Sequence, residues 1–146
     1  MRNAIFIPGN VPSLKNSKIK TRHGIFASKT VGKYLRALGI QHYSVTRKEV
    51  KGYKDPLRPN QFEAFREEVA KYIQGPGPHK IGFHFVRKSK HKFDFHNAVQ
   101  IVADLMVAHD FVEDDNMDHF IPFPVQKNEK WYSYDKENPG VWVKFY

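Results

Sequence analysis

The chain has 146 residues, 40% of them hydrophobic and 14% aromatic, enough for one buried core, and no stretch reaches the roughly 18 uncharged apolar residues that a membrane span requires. It has no cysteine, which excludes disulfide frameworks, thiolate zinc sites and cysteine nucleophiles. Its formal net charge of +9 points to a polyanionic partner.

Ala4 to Ile7 reads as a short strand, ended by Pro8-Gly9-Asn10-Val11-Pro12-Ser13, a run too rich in turn formers to continue a regular element. The opening apolar run is short and meets a proline, so no export signal is expected and a reducing cytoplasm is the natural compartment. Lys15, Asn16, Ser17, Lys18, Lys20 and Arg22 form a basic loop suited to phosphate contact; a plain solvated loop accounts for them equally. Ser28 or Thr30 caps a helix running to about Leu38 and stopped by Gly39. Ile40 to Pro59 shows little periodicity, and Arg47 to Lys54 reads as a mobile basic loop. Asn60 caps a second helix whose Phe62, Phe65, Val69 and Ile73 face the core. Gly75-Pro76-Gly77-Pro78 is a turn, because the pieces on either side are too small to fold alone; residues 1–146 therefore make one domain. Ile81, Phe83 and Phe85 alternate with Gly82, His84 and Val86 in a strand, followed by the basic run Arg87-Lys88-Ser89-Lys90-His91-Lys92.

There the charge changes sign. Residues 1 to 92 hold 20 basic and 5 acidic side chains, whereas Phe93 to Gln126 contains no Lys or Arg and seven acids: Asp94, Asp104, Asp110, Glu113, Asp114, Asp115 and Asp118. Carboxylates repel the phosphates that the rest of the chain attracts; a divalent cation such as Mg²⁺ would turn the patch into one that binds them. A solvated acidic face gives the same count. Ala98 to Ala108, nearly all apolar, is a mostly buried helix of about three turns. Asn97, Gln100 and Asp104 project within about 60° of one another, a stripe that is either a site or the helix's solvent edge. Asp94 and His96 stand ahead of the first turn. A loop returning Asp115 beside Asp94 would make a carboxylate cluster in need of a cation. A calcium loop starting at Asp114 fails twice, with His119 in place of the glycine and Val125 in place of the glutamate. There is no His-Glu-x-x-His, Gly-x-Ser-x-Gly or Walker loop. Ile121 to Val125 suits an edge strand, and Trp131–Tyr134 with Val141–Tyr146 reads as a hairpin across Asn138-Pro139-Gly140. The fold expected is α+β: a small mixed sheet packed on two or three helices, the Asn60 and Asn97 helices foremost.

The segment Asp94-Phe95-His96-Asn97-Ala98-Val99-Gln100, through Asp104-Leu105 to Phe111-Val112-Glu113-Asp114-Asp115, resembles the signature of the RusA family of Holliday junction resolvases. That signature is Asp-x-Asp-Asn, a Lys three residues on, an Asp on the same helix, then an Asp-Asp pair after an aromatic. Phe6-Ile7-Pro8-Gly9 with Pro12-Ser13 and Asn16 is similar to the family's first strand and loop. The resemblance implies a RusA-like fold and an endodeoxyribonuclease dependent on Mg²⁺, with Mn²⁺ an alternative. It would cut branched DNA, four-way junctions above all, in the cytoplasm of a bacterium or of a phage's host. A twofold junction would call for a homodimer. As metal ligands it implies Asp94, His96, Asp114 and Asp115, and as the catalytic set Asp94, His96, Gln100 and Asp115, with Asn97 and Asp104 in support. Lys15, Asn16, Lys18, Lys20, Arg22, Arg87, Lys88, Lys90 and Lys92 would grip the DNA. Two positions depart from the pattern. His96 stands where the family has its second Asp, a change a metal tolerates, and Gln100 stands where it has a Lys, which removes a cation that would offset transition-state charge. A catalytically impaired branched-DNA-binding protein on the same fold, or an RNA-processing nuclease, are the alternatives.

Overall fold

The computed structural model describes residues 1–13, 18–21, 24–27, 29–38, 40–46, 49–54 and 62–146, with backbone alone described for 18–21, 24–27, 40–46 and 49–54. In chain order come β1 (Ala4–Pro8), β2 (Lys18–Thr21), β3 (Gly24–Ala27), α1 (Lys29–Ala37), β4 (Ile40–Thr46) and β5 (Glu49–Lys54). A 3₁₀ turn (Glu63–Phe65) then leads into α2 (Arg66–Tyr72), followed by β6 (His79–Arg87), α3 (Phe95–Ala108), β7 (Phe120–Pro124), β8 (Ser133–Tyr134) and β9 (Gly140–Phe145). The fold is α+β, as expected: a mixed five-stranded sheet with three helices, and beside it the antiparallel sheet β2-β3-β4-β5.

The mixed sheet has the order β1-β9-β6-β7, and β8 pairs farther along the β6 edge that β7 occupies. Strand β9 runs antiparallel to both neighbours and aligns Ile5 with Val143 and Phe83, and Ile7 with Val141 and Phe85. All six side chains are buried, so these two cross-strand rows form the floor of the core. Close approach at the start of β9 demands glycine: a Cβ on Gly140 would lie 2.6 Å from the Ile7 carbonyl oxygen and closer still to Phe6 Cζ.

Strands β6 and β7 are parallel, so the chain between them must cross over the sheet, and α3 is that crossover. Its apolar residues Ala98, Ile101, Val102, Leu105 and Met106 are therefore buried against the floor, with Leu35 and Leu38 of the α1 segment, Phe62 and Val69 in the same core. Beyond the helix, Phe62 stacks on Phe111 at 5.2 Å, fixing the turn that leads into the acidic loop.

The alternation in β6 sets His84 opposite the core, yet this side is covered too, by the chain linking β7 to β8. A carbonyl can only accept, so His84 Nδ1–H donates to Val125 (2.8 Å) and the unprotonated Nε2 accepts from the Ser133 hydroxyl (2.7 Å).

Several sequence expectations change. Helix α3 starts at Phe95, so His96 lies within its first turn and only Asp94 stands ahead of it. The basic loop around Lys18 and Lys20 holds the hairpin β2-β3, and Ile40 to Lys54 holds β4 and β5 where no periodicity was evident. A register shift between Ile40 and His42 breaks the two-residue alternation there. The C-terminal hairpin is not formed: β8 pairs in parallel with β6, while β9, with Val141, Val143 and Phe145 on its core face, takes the central position between β1 and β6. The second helix opens as a 3₁₀ turn preceded by Phe62. Asn60, Ser28 and Gly39 lie outside the described residues. Strand β7 is an edge strand as expected, its Pro122 and Pro124 lacking the N–H that a further strand would need.

Candidate functional site

Asp94 is the residue before α3, with extended backbone (φ −101, ψ 117), and its Oδ1 accepts from the backbone N–H groups of His96 (2.9 Å) and Asn97 (3.3 Å). That is an N-cap: a side-chain oxygen satisfies donors that have no partner inside the helix. The position is held from outside by Ser13, whose Oγ accepts the Asp94 N–H at 2.6 Å and donates to the Asp94 carbonyl at 3.3 Å. Asn10 Oδ1 accepts from the Lys88 N–H at 2.9 Å, and the Arg87 guanidinium donates to the Val11 carbonyl. The loop after β1 is thus stitched to the segment that delivers Asp94, at Asn10, Val11 and Ser13.

Along α3 the predicted polar stripe is present. Gln100 Nε2 donates to Asp104 Oδ1 (2.8 Å) and reaches Asp115 Oδ2 (3.4 Å), so one amide joins two carboxylates eleven residues apart in sequence. Asp104 is buried and Gln100 exposed. The acidic loop orders itself with its own side chains: Asp114 Oδ1 accepts from the Asp115 N–H (2.7 Å), Asn116 Nδ2 donates to Asp114 Oδ2 (3.2 Å), and Asn116 Oδ1 accepts from the Asp118 N–H (3.0 Å). Desolvation pushes the Asp115 carboxyl above the usual carboxylate range; the Gln100 hydrogen bond pulls it back, while Asp114 and the charge of Asp104 push it up again.

The structure therefore brings together Gln100, Asp104, Asp115 and Asp114. Asp94 stands at the head of the same helix, six residues or about 9 Å of helix axis before Gln100. His96 is exposed, its ring 5.8 Å from that of Phe95, and Asn97 is half-buried. Among the described residues no three His, Asp or Glu side chains stand close enough together to form a ready-made metal cage. The donor chemistry nevertheless suits a hard divalent cation, since Asp94, Asp104, Asp114 and Asp115 offer only oxygen and no Lys or Arg lies between Phe93 and Gln126.

Of the basic residues named from the sequence, Lys88, Lys90 and Lys92 are exposed just ahead of Asp94. Arg87 is half-buried and lies 4.6 Å over the Phe93 ring, so it serves to hold this turn. Lys18 and Lys20 fall on β2, and Lys15, Asn16 and Arg22 lie outside the described residues. Sequence reasoning missed the hydrogen bonds of Ser13 and Asn10 and the exposure of Trp131, Tyr132 and Tyr134. Two small polar residues in a Pro- and Gly-rich loop were the available signal for the first pair. Comparison with family models, curated proteins and solved structures finds no match to the chain.

Proposed function

We propose that this chain is a metal-dependent, structure-selective endodeoxyribonuclease that hydrolyses phosphodiesters in branched DNA, four-way junctions in particular. The observation that carries the reading is the Gln100 bridge. It joins Asp104 and Asp115, from separate elements, on the helix that Asp94 caps, within a chain of net charge +9. Burial above all raises the proton affinity of Asp115, with Asp114 and the charge of Asp104 adding to it, and a nearby divalent cation would favour the charged carboxylate again.

Asp94, Asp114 and Asp115 would hold Mg²⁺ or Mn²⁺, with His96 at the rim. The ion, when bound, would lower the pKa of a water and polarise the scissile phosphate. Gln100 would keep Asp104 and Asp115 in register by donating to both, and Asn97 and Asp104 would support the site. The exposed Lys88, Lys90 and Lys92, with Lys15, Asn16, Lys18, Lys20 and Arg22, would draw in the DNA backbone; their contribution would weaken with salt. A homodimer would present two such sites to a twofold junction, acting in the cytoplasm of a bacterium or of a phage's host. No helix among the described residues is long and apolar enough to cross a membrane.

The test is cleavage of a synthetic four-way junction in Mg²⁺ and in Mn²⁺. Wild type should cut and Asp115→Asn should bind without cutting; a wild type that cuts in neither metal refutes the reading. One observation favours a second reading, a branched-DNA-binding protein without activity: among the described residues no three His, Asp or Glu side chains are grouped as a metal site. Calorimetry with Mn²⁺ separates them, because that protein would bind the junction and no metal.

A further inference from the structure

We infer that Trp131, Tyr132 and Tyr134, together with Lys90, Lys127 and Lys130, form a stacking platform for the unpaired bases of a nucleic-acid strand lying beside Asp94. The inference deepens the reading above by naming which part of a branched substrate this face takes, and it rests on that reading only in expecting nucleic acid.

Among the described residues six large hydrophobic side chains are exposed, and three of them fall within four positions: Trp131 (58%), Tyr132 (50%) and Tyr134 (47%). Exposed aromatics scattered singly need no explanation, whereas a cluster does. The three line one open groove of about 750 Å³ with the three lysines.

The platform is anchored. Tyr132 meets Phe93 edge-on at 5.2 Å, and Phe93 meets the buried Phe85 at 5.9 Å, so the exposed ring is braced by the core. Ser133 pairs with Val86 of β6 and hydrogen-bonds His84 at 2.7 Å, which pins the backbone between the two tyrosines. Lys127 and Lys130 exchange two backbone hydrogen bonds (2.9 and 3.1 Å), with Asn128 and Glu129 at positive φ closing the turn between them. Lys90 Nζ lies 5.4 Å over the Tyr134 ring.

Aromatic faces interleaved with lysines match the chemistry of a single strand, whose bases each present a π-face and whose backbone carries charge. A perfect duplex hides its base faces in its own stack and offers these rings only phosphates and groove edges. A neutral sugar would use the rings but gain nothing from the positive charge of the three lysines. Position agrees: Phe93, which braces Tyr132, is the residue before Asp94, so a strand stacked here lies at the head of α3.

The test uses the full chain in EDTA, so that no cleavage intervenes, and measures the anisotropy of labelled dT15, U15 and a blunt 15-base-pair duplex. The expected result is tighter binding of a single strand than of the duplex. Trp131→Ala should weaken single-strand binding roughly 5- to 100-fold, the loss of one stacked base. Trp131→Phe should restore most of it, and duplex binding should not move. U15 in place of dT15, with the same dependence on Trp131, supports the platform and assigns it a ribose strand. Wild-type affinity for both single strands in Trp131→Ala and Tyr134→Ala overturns the inference, as does heparin displacing the strand equally well from wild type and Trp131→Ala, which would leave charge alone. The two proposals fail separately: Trp131-dependent stacking by a chain that never cuts sinks only the nuclease, and junction cleavage with no effect of Trp131→Ala on binding sinks only the platform.

Discussion

Replacing Asp94 separates its job as a helix cap from its job as a carboxylate. Its Oδ1 satisfies two backbone donors at the start of α3, at 2.9 and 3.3 Å, and asparagine offers an oxygen of the same reach without the charge. Asp94→Asn should therefore leave stability within a few tenths of a kcal/mol, whereas Asp94→Ala, which leaves both donors to water, should cost about 1 kcal/mol. In a domain of this size that is a fall of about 2–4 °C in Tm. Junction cleavage should be lost in both variants, because the charge and not the cap would hold metal. The assay is paired: thermal melts for the three proteins, and cleavage in Mg²⁺ with binding measured in EDTA. Equal destabilisation by Asn and Ala would show that the cap is not what the structure indicates. An Asn variant cutting at the wild-type rate would remove the carboxylate from the chemistry.

Gln100→Lys should lower the Asp115 pKa, because an ammonium between two carboxylates favours their charged form, and Gln100→Leu should raise it further by removing the hydrogen bond that now pulls it down; carboxyl-carbon NMR titration reads both. Burial above all holds His84 and His109 below the ordinary histidine pKa. The unfolded chain takes up these protons near pH 6.5 and the folded chain only at lower pH, so stability should fall as pH drops below about 6.5, by at most about 1.4 kcal/mol per pH unit for each histidine. Urea melts from pH 7.5 to 5.5 check this, and a flat profile would contradict it. Gly140→Ala should destabilise by more than about 1 kcal/mol through its clash with the Ile7 carbonyl and the Phe6 ring, read as a lower urea midpoint. Tyr34→Phe should be neutral or stabilising by about 1 kcal/mol, since among the described residues the buried Tyr34 hydroxyl has no hydrogen-bond partner.

How much the sequence revealed depended on whether neighbours in the chain are neighbours in space. Helix α3 and its polar stripe were legible because a helix is a local object: the apolar run from Ala98 and the spacing of Asn97, Gln100 and Asp104 determine both. The prolines of β7 marked an edge for an equally local reason. Pairing is not local. Trp131 to Tyr134 precedes β9 by one turn, and a hairpin was the natural expectation, yet the apolar face of β9 is worth more at the centre of the sheet, between β1 and β6. The hairpin β4-β5 was hidden by polar residues and a register shift. In the site, the stripe could be calculated, but the reach of Gln100 to Asp115 depends on how the loop after Phe111 folds back. Part of the aromatic segment, Ser133–Tyr134, is a strand, but the exposure of its rings is not legible in the sequence, because alternation alone does not say which of two faces a partner strand will cover.

The proposed function requires the carboxylates at and around α3 to bind a divalent cation. Crystals of the full chain grown with Mn²⁺, with the anomalous signal located, test it most directly. A peak ligated by Asp94 together with Asp114 or Asp115, and lost in Asp115→Asn, is the expected result; a map with no peak at these carboxylates, or one centred elsewhere on the chain, would contradict the proposed function.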